Sequence, residues 1–208
     1  MSTLLKIDSS PRGDSSVSRQ LAQVFAARWL ESHPGSKVVE RDLNATSIPL
    51  VDLSWIGAAY TPADARTPEQ AKALEVSEQL IAELEAADEY VIGVPMFNFS
   101  IPAVLKVWID QVVRAGRTFS YGASGPEGLL KGKKVTFLIS SGGVYQPGTP
   151  YAVMDFVAPY LRSIFAFIGV TEVQVIAAEG LSQVMQGKVK LEDHLAPTLE
   201  KVLAQAAA

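Results

Sequence analysis

The sequence predicts an α/β protein, a three-layer sandwich in which a five-stranded parallel sheet carries helices on both faces. Strand-like apolar runs alternate with helix-periodic segments five times along the chain. Such alternation requires right-handed crossovers, which place helices on both sides of a sheet. The run at residues 89–94 is almost continuously apolar, which is typical of a strand that is buried on both faces.

The strands follow one another at regular intervals. Turn-forming residues such as Ser, Pro and Gly bound each apolar run. Strands are therefore predicted at Thr3–Asp8, Lys37–Asp42, 89–94, Lys134–Ser140 and 171–177.

Helices are predicted between these strands. The first begins at Ser18 and ends before Pro34. The second starts at Thr67, where Pro68 and Gln70 complete a capping box. Three more are expected over 101–114 with Ser100 as cap and Gly116 as stop, over 154–167, and after Lys188.

Residues 43–66 show no regular pattern and contain Pro49, Gly57 and Pro62. Because loops of this length are rare inside compact domains, we expect an irregular functional loop or lid that includes Trp55 and Tyr60.

The composition excludes several classes of function. A chain of 208 residues fits a single domain, residues 1–208. Its net charge of −4 gives no long-range attraction to nucleic acid or to anionic membranes. Cysteine is absent and there are 2 histidines, which excludes disulfides, thiolate zinc, iron–sulfur clusters and a His-rich metal site. A bound cofactor would therefore have to carry any electrons.

No targeting or membrane-spanning segment is visible, so a cytoplasmic protein without membrane insertion is expected.

The loop after the first strand has the chemistry of a phosphate site. Ser10, Ser16 and Ser18 surround the start of a helix, whose first N–H groups are unpaired. These neutral donors suit a phosphate monoester. Neither a G-x-x-x-x-G-K-[ST] nor a G-x-G-x-x-G motif is present, so a mononucleotide remains. The alternative is an ordinary Ser-rich turn with a capping serine.

Two further strand ends carry unusual residues. Met96-Phe97-Asn98-Phe99 follows the third strand and could flank a planar ring, while Ser140-Ser141-Gly142-Gly143 follows the fourth and lets a ligand approach its backbone. The alternatives are aromatic side chains that fold back into the core, a capping Asn98, and a tight connection. In an open parallel sheet these ends lie at the edge where ligands bind.

These residues resemble the FMN-dependent NADH azoreductases of the flavodoxin-like quinone reductase superfamily. The similarity covers nearly the whole chain and includes LLKIDSSPRGDSSVSRQLA, PMFNFS, RAGRTFSY, GPEGL, SSGG and PYLRSIFAFIG. The fold implied is flavodoxin-like.

The resemblance also implies a function. It implies tightly bound FMN, NADH or NADPH as donor, and two-electron ping-pong hydride transfer to quinones and azo compounds, with no catalytic side chain. It implies a homodimer with shared active sites. The residues implied to bind FMN are Ser10, Ser16, Val17, Ser18, Met96, Phe97, Asn98, Phe99, Ser140, Ser141, Gly142 and Gly143. Those implied for the substrate are Asn98, Phe119, Tyr121 and Phe167, partly from the second subunit.

Some relatives carry Tyr at the position of Phe97 and Arg at that of Ser141, which leaves substrate and nicotinamide preference open. Two other functions compete. A flavodoxin-like electron carrier would be smaller and more acidic, and a serine hydrolase would depend on Ser141.

Overall fold

The computed structural model describes residues 1–123 and 125–208. Within these residues the strands are β1 (Thr3–Asp8), β2 (Lys37–Asp42), β3 (Glu89–Pro95), β4 (Phe119–Gly122), β5 (Gly125–Gly128), β6 (Lys134–Ser140) and β7 (Glu172–Ala178). The helices are α1 (Val17–Ser32), α2 (Leu53–Tyr60), α3 (Pro68–Ala73), α4 (Glu75–Ala86), α5 (Ala103–Val112), α6 (Ala158–Phe167), α7 (Ser182–Met185) and α8 (Leu191–Ala206).

Five strands form one parallel sheet in the order β2-β1-β3-β6-β7. The chain moves outward to β2 and then returns past β1 to β3, so the strand order reverses at β1 and β3. Ligands of open α/β sheets bind beside such a reversal. The flavodoxin-like α/β fold expected from the sequence is confirmed.

Side chains that alternate along the strands divide the core into two layers. Val91 and Leu138 point to the face covered by α1 and α8. Their neighbours Ile92 and Phe137 point to the opposite face, which α4, α5 and α6 cover. Both faces are apolar, which explains the near-continuous apolar runs in the sequence.

Several local predictions are confirmed. β1, β2 and β6 have the predicted bounds, and β3 extends the expected run by one residue to Pro95. Thr67 and Gln70 form the expected reciprocal capping box at the start of α3. A break at Leu74 divides the following segment into α3 and α4.

The prediction of an irregular segment at residues 43–66 is wrong. It contains α2, which Asp52 caps by accepting the N–H of Trp55 at 2.7 Å, and a 3₁₀ turn at Ala63–Ala65. The buried Trp55 indole donates to Gln111 Oε1 at 2.8 Å. This tertiary contact stabilises a short helix whose pattern Gly57 obscures in the sequence.

Two helices are shorter than predicted. α5 starts at Ala103 rather than at Ile101, and Ser100 does not cap it, because the backbone of Ser100 pairs with Phe97 in a small bridge. α6 begins at Ala158, where the Asp155 carboxylate accepts two backbone N–H groups, at 2.9 and 3.1 Å.

The antiparallel hairpin β4–β5 lies outside the parallel sheet and was not predicted. It is anchored against the end of α6. A β-carbon on Gly128 would overlap the backbone of Gly169, and Leu130 N–H donates to Ile168 O at 2.9 Å. In the described residues no helix has the length and apolarity needed to cross a membrane.

Candidate functional site

A cleft opens at the carboxyl ends of β1, β3 and β6, beside the reversal in strand order. The space in it that water can occupy is about 110 Å³, and the cleft is open to solvent on one side. The residues that line it are Ser10, Arg12, Ser16, Val17, Pro95, Met96, Phe97, Ser140, Ser141, Gly142, Leu181 and Met185.

The loop between β1 and α1 presents two serine hydroxyls to this cleft. Ser9 does not contribute, because its hydroxyl donates to Gly93 O at 2.7 Å. Ser10 and Ser16 both line the cleft although their residues are almost fully buried. Ser18 is completely buried, and its Oγ lies 3.1 Å from Ser16 Oγ. Ser18 therefore contacts the hydroxyl of Ser16, which lines the cleft, without lining the cleft itself.

Backbone donors complete this end of the cleft. Ser16 caps α1 by accepting the N–H of Arg19. In the part of the chain that the structure describes, the N–H groups of Val17 and Ser18 have no acceptor. Unpaired amides at a helix start carry partial positive charge. The arrangement fits a phosphate group.

Gly93 explains how α1 comes so close to the sheet. A β-carbon at this position would lie 2.9 Å from Ser18 O and 3.4 Å from Asp8 Oδ1. Any side chain on β3 would therefore push the first turn of α1 away from the strand. The glycine fixes the distance between the serine hydroxyls and the second loop.

Ion pairs beneath the cleft neutralise the acidic groups of β1 and β2. Buried Lys6 Nζ lies 2.8 Å from Asp8 Oδ2, and Arg19 lies 2.6 Å from Asp42 Oδ2. Burial raises the pKa of Asp42, but hydrogen bonds from Arg19 and Asn44 outweigh it and hold that pKa below its usual value. Asp8 and Asp42 are therefore each paired with a cation.

The loop after β3 has a strained backbone. Met96 N–H donates to Ser140 O at 2.8 Å, which joins this loop to the end of β6. Asn98 and Phe99 have left-handed φ values of 48° and 69° in the turn that Phe97 and Ser100 close. Such angles are costly for residues other than glycine and frequently occur where a loop contacts a ligand.

In the loop after β6, backbone carbonyls are paired while two amides have no partner among the described residues. Ser141 O and Gly143 O accept the N–H groups of Leu181 and Gly180, at 3.1 and 2.8 Å. Within the described residues, the N–H groups of Gly142 and Gly143 have no acceptor. These donors could stabilise negative charge on a ring placed beside Met96 and Phe97.

Of the four predicted substrate residues, Asn98 lies in the loop after β3, and the other three form a separate aromatic cluster. Phe119 lies 4.6 Å from Phe167 and 5.4 Å from Tyr121, measured between ring centroids. None of the three lines the cleft of its own chain. Their contribution to a site, as predicted, would have to come partly from a second subunit.

Twelve residues were predicted to bind the cofactor, and the structure brings most of them to one cleft. Eight line it directly, namely Ser10, Ser16, Val17, Met96, Phe97, Ser140, Ser141 and Gly142. Ser18, Asn98, Phe99 and Gly143 belong to the same loops but lie behind or beside it.

Four lining residues were not assigned from the sequence: Arg12, Pro95, Leu181 and Met185. Leu181 and Met185 follow β7, whose carboxyl end lies at the same edge of the sheet as the other three. Because the sequence already predicted β7 as a strand of the parallel sheet, the residues that follow it could have been assigned to the cleft from the sequence.

Comparison with known proteins agrees with this arrangement. Residues 2–202 match the family model described as "Flavodoxin-like fold". An FMN-dependent NADH:quinone oxidoreductase of Acidobacterium capsulatum is 52% identical over 207 residues, with 100% of both chains covered. The chain belongs to the flavodoxin-like family of FMN-dependent NADH:quinone oxidoreductases and azoreductases.

Solved structures of the family superpose closely. The azoreductase of Bacillus anthracis strain Sterne gives a TM-score of 0.89 at 33% identity, covering 100% of this chain and 99% of that one. An FMN-dependent NADH-azoreductase of B. anthracis strain Ames Ancestor, solved with FMN, gives a TM-score of 0.87 at 27% identity, covering 100% and 98%. The family resemblance drawn from the sequence motifs is confirmed.

Proposed function

We propose that this protein is an FMN-dependent oxidoreductase that uses NADH or NADPH to reduce quinones and azo compounds. One observation carries the proposal. Unpaired backbone amides and buried serine hydroxyls from successive loops face a single cleft beside the reversal in strand order. The relatives' names add FMN, NADH and quinone as the cofactor, donor and acceptor classes.

The two ends of the cleft would bind different parts of FMN, its phosphate and its ring. Ser10 and Ser16 hydroxyls, with the amides of Val17 and Ser18, would hold the phosphate of FMN. Met96 and the following aromatic turn would lie along the ring. When bound, FMN supplies the hydride chemistry.

The protein contributes position and electrostatics rather than a nucleophile. The unpaired amide of Gly142, which lines the cleft, would stabilise negative charge that develops on the ring edge, and Gly143 adds a second unpaired amide in the same loop. The open cleft admits a planar donor at the stacking distance of about 3–3.5 Å that hydride transfer requires. Donor and acceptor would occupy this place in turn, which is a ping-pong cycle.

We also infer a homodimer with an active site at each interface. Large apolar side chains are exposed on α2 and near the start of α6, including Leu53, Ile56, Tyr60 and Phe156. A second copy would cover such surfaces. It would also bring Phe119, Tyr121 and Phe167 to a cleft that they do not line in their own chain.

Two further statements belong to the same proposal. A single domain spans residues 1–208, because both helical layers pack on one sheet. The protein acts in the cytoplasm, where the nicotinamide donors are available.

The test is to titrate purified protein with FMN and to follow its absorption and fluorescence. We expect saturable binding, then oxidation of NADH by a quinone with parallel double-reciprocal plots. Stopped-flow reduction with NADH and NADPH would establish the preferred donor. Absence of FMN binding would refute the proposal. Rapid flavin reduction without transfer to any quinone or azo compound would favour the electron carrier.

A further inference from the structure

Arg12 is the one charged residue among the described residues that line the cleft. The other lining groups are hydroxyls, apolar side chains and backbone. The phosphate end described above therefore consists of neutral donors, apart from this guanidinium.

The backbone of Arg12 is fixed at the phosphate end. Its N–H donates to Ser10 Oγ at 3.3 Å, and its carbonyl accepts the N–H of Ser15 at 3.3 Å and the Ser15 hydroxyl at 2.8 Å. The residue itself is exposed. A fixed backbone with an exposed side chain lets the guanidinium move toward an anion without unfolding the turn.

The neighbouring charges leave the Arg12 guanidinium available to bind an anion. In the described residues no carboxylate forms an ion pair with it, and Asp14 in the same turn forms none either. Asp8, at the end of β1, is already paired with Lys6 at 2.8 Å. Arg19 is likewise paired with Asp42. Arg12 is thus the positive charge that a dianion in the cleft would meet.

We propose that Arg12 pairs with the phosphate monoester of FMN and makes the site prefer FMN to riboflavin. This proposal rests on the proposed binding of FMN. Guanidinium groups form charge-assisted, frequently bidentate hydrogen bonds with phosphate. Ser10, Ser16 and the α1 amides fix the position of the phosphate, and Arg12 adds affinity that depends on its charge.

The test compares FMN with riboflavin, which lacks the phosphate, in the variant Arg12→Gln. We expect FMN to bind about fivefold more weakly at low salt, the size expected of a solvent-exposed ion pair. Riboflavin affinity should not change. The effect on FMN should shrink at 1 M salt, where the screening length falls to about 3 Å.

Two variants and one pH series provide the controls. Arg12→Lys should recover part of the FMN affinity. Arg28→Gln removes a guanidinium of α1 that pairs with Glu31, away from the cleft, and should leave FMN affinity unchanged. The effect of Arg12→Gln should also diminish at pH 5, because the second pKa of a phosphate monoester is about 6.

Three results would overturn the proposal. The first is equal FMN affinity with and without the guanidinium. The second is equal weakening of FMN and riboflavin, which would mean that Arg12 only supports the turn. The third is unchanged FMN affinity with a raised KM for NADPH, which would assign the guanidinium to the donor's phosphate. If the unaltered protein binds no FMN, the proposed function fails instead.

Discussion

The cleft and the aromatic cluster of Phe119, Tyr121 and Phe167 are built in different ways. The cleft is formed by turns that follow strands of one sheet, and hydrogen bonds join those turns, such as Met96 N–H to Ser140 O at 2.8 Å. The aromatic cluster joins a hairpin outside that sheet to α6. The residues of one chain thus suffice to form the cleft, whereas the aromatic cluster would reach the cleft only in the proposed dimer.

The largest expected effect concerns the cofactor end. Ser18→Asp puts a carboxylate into a fully buried position next to Ser16, where it would repel a bound phosphate. We expect FMN affinity to fall by about a hundredfold, in line with the cost of an unpaired buried charge. Riboflavin should be affected less. Fluorescence titration measures both affinities.

Gln23→Asp provides the control for that variant, since Gln23 is exposed on the same helix. Its FMN affinity should remain normal. Unchanged FMN affinity in Ser18→Asp would contradict the placement of the phosphate at the start of α1.

Gly128→Ala should displace the hairpin, because its methyl group would overlap the backbone of Gly169. We expect the free energy of unfolding to fall by about 2 kcal/mol, as in other overpacked sites. Quinone reduction should decrease while FMN affinity stays within twofold. Thermal denaturation, steady-state kinetics and FMN titration measure the three quantities.

The matched control is Gly122→Ala in the same hairpin, where a β-carbon would make an ordinary contact at 3.7 Å. If Gly128→Ala weakened FMN binding as much as quinone reduction, the two regions would not be independent.

Tyr121→Ala tests the exposed part of the aromatic cluster. Tyr121 is 75% exposed and contacts Phe119 edge to face. We expect kcat/KM for a quinone to fall about fivefold, the size of one aromatic contact, with unchanged FMN affinity. Leu30→Ala, at an exposed position on α1, should change neither. Normal kinetics in Tyr121→Ala would remove this residue from the proposed substrate site.

The smallest effect concerns the ion pair between Asp42 and Arg19, which holds α1 to β2 below the cleft. The pKa of Asp42 is lowered in the folded protein, so its ionised form stabilises the fold above the unfolded pKa of about 3.9. This stability is lost as the pH falls through the lower folded value. Asp42 is partly exposed, so the contribution should stay below about 1 kcal/mol.

Asp42→Asn should therefore lower the free energy of unfolding at pH 7 and have a smaller effect at pH 3, which lies below the unfolded pKa. Urea denaturation at both pH values measures it, with Asp64→Asn as the exposed control. A difference as large at pH 3 as at pH 7 would mean that packing, rather than charge, is responsible.

The sequence by itself determined the sheet and the family. The runs of β1, β3 and β6 are apolar because both faces of the sheet are covered, so periodicity and composition were sufficient to find them. The sequence also predicted that Ser10, Ser16 and the SSGG turn belong to one site, because residues that follow parallel strands lie at the same edge of the sheet.

Tertiary structure decided what local patterns could not. The helix α2 depends on the contact between Trp55 and Gln111, which are far apart in sequence. The hairpin depends on the close approach of Gly128 to Gly169. The place of Arg12 in the cleft depends on how the turn after β1 folds back on Ser10. The first two are contacts between distant chain segments whose spacing no local periodicity records, and the third depends on the conformation of a turn, so all three become visible only in the folded chain.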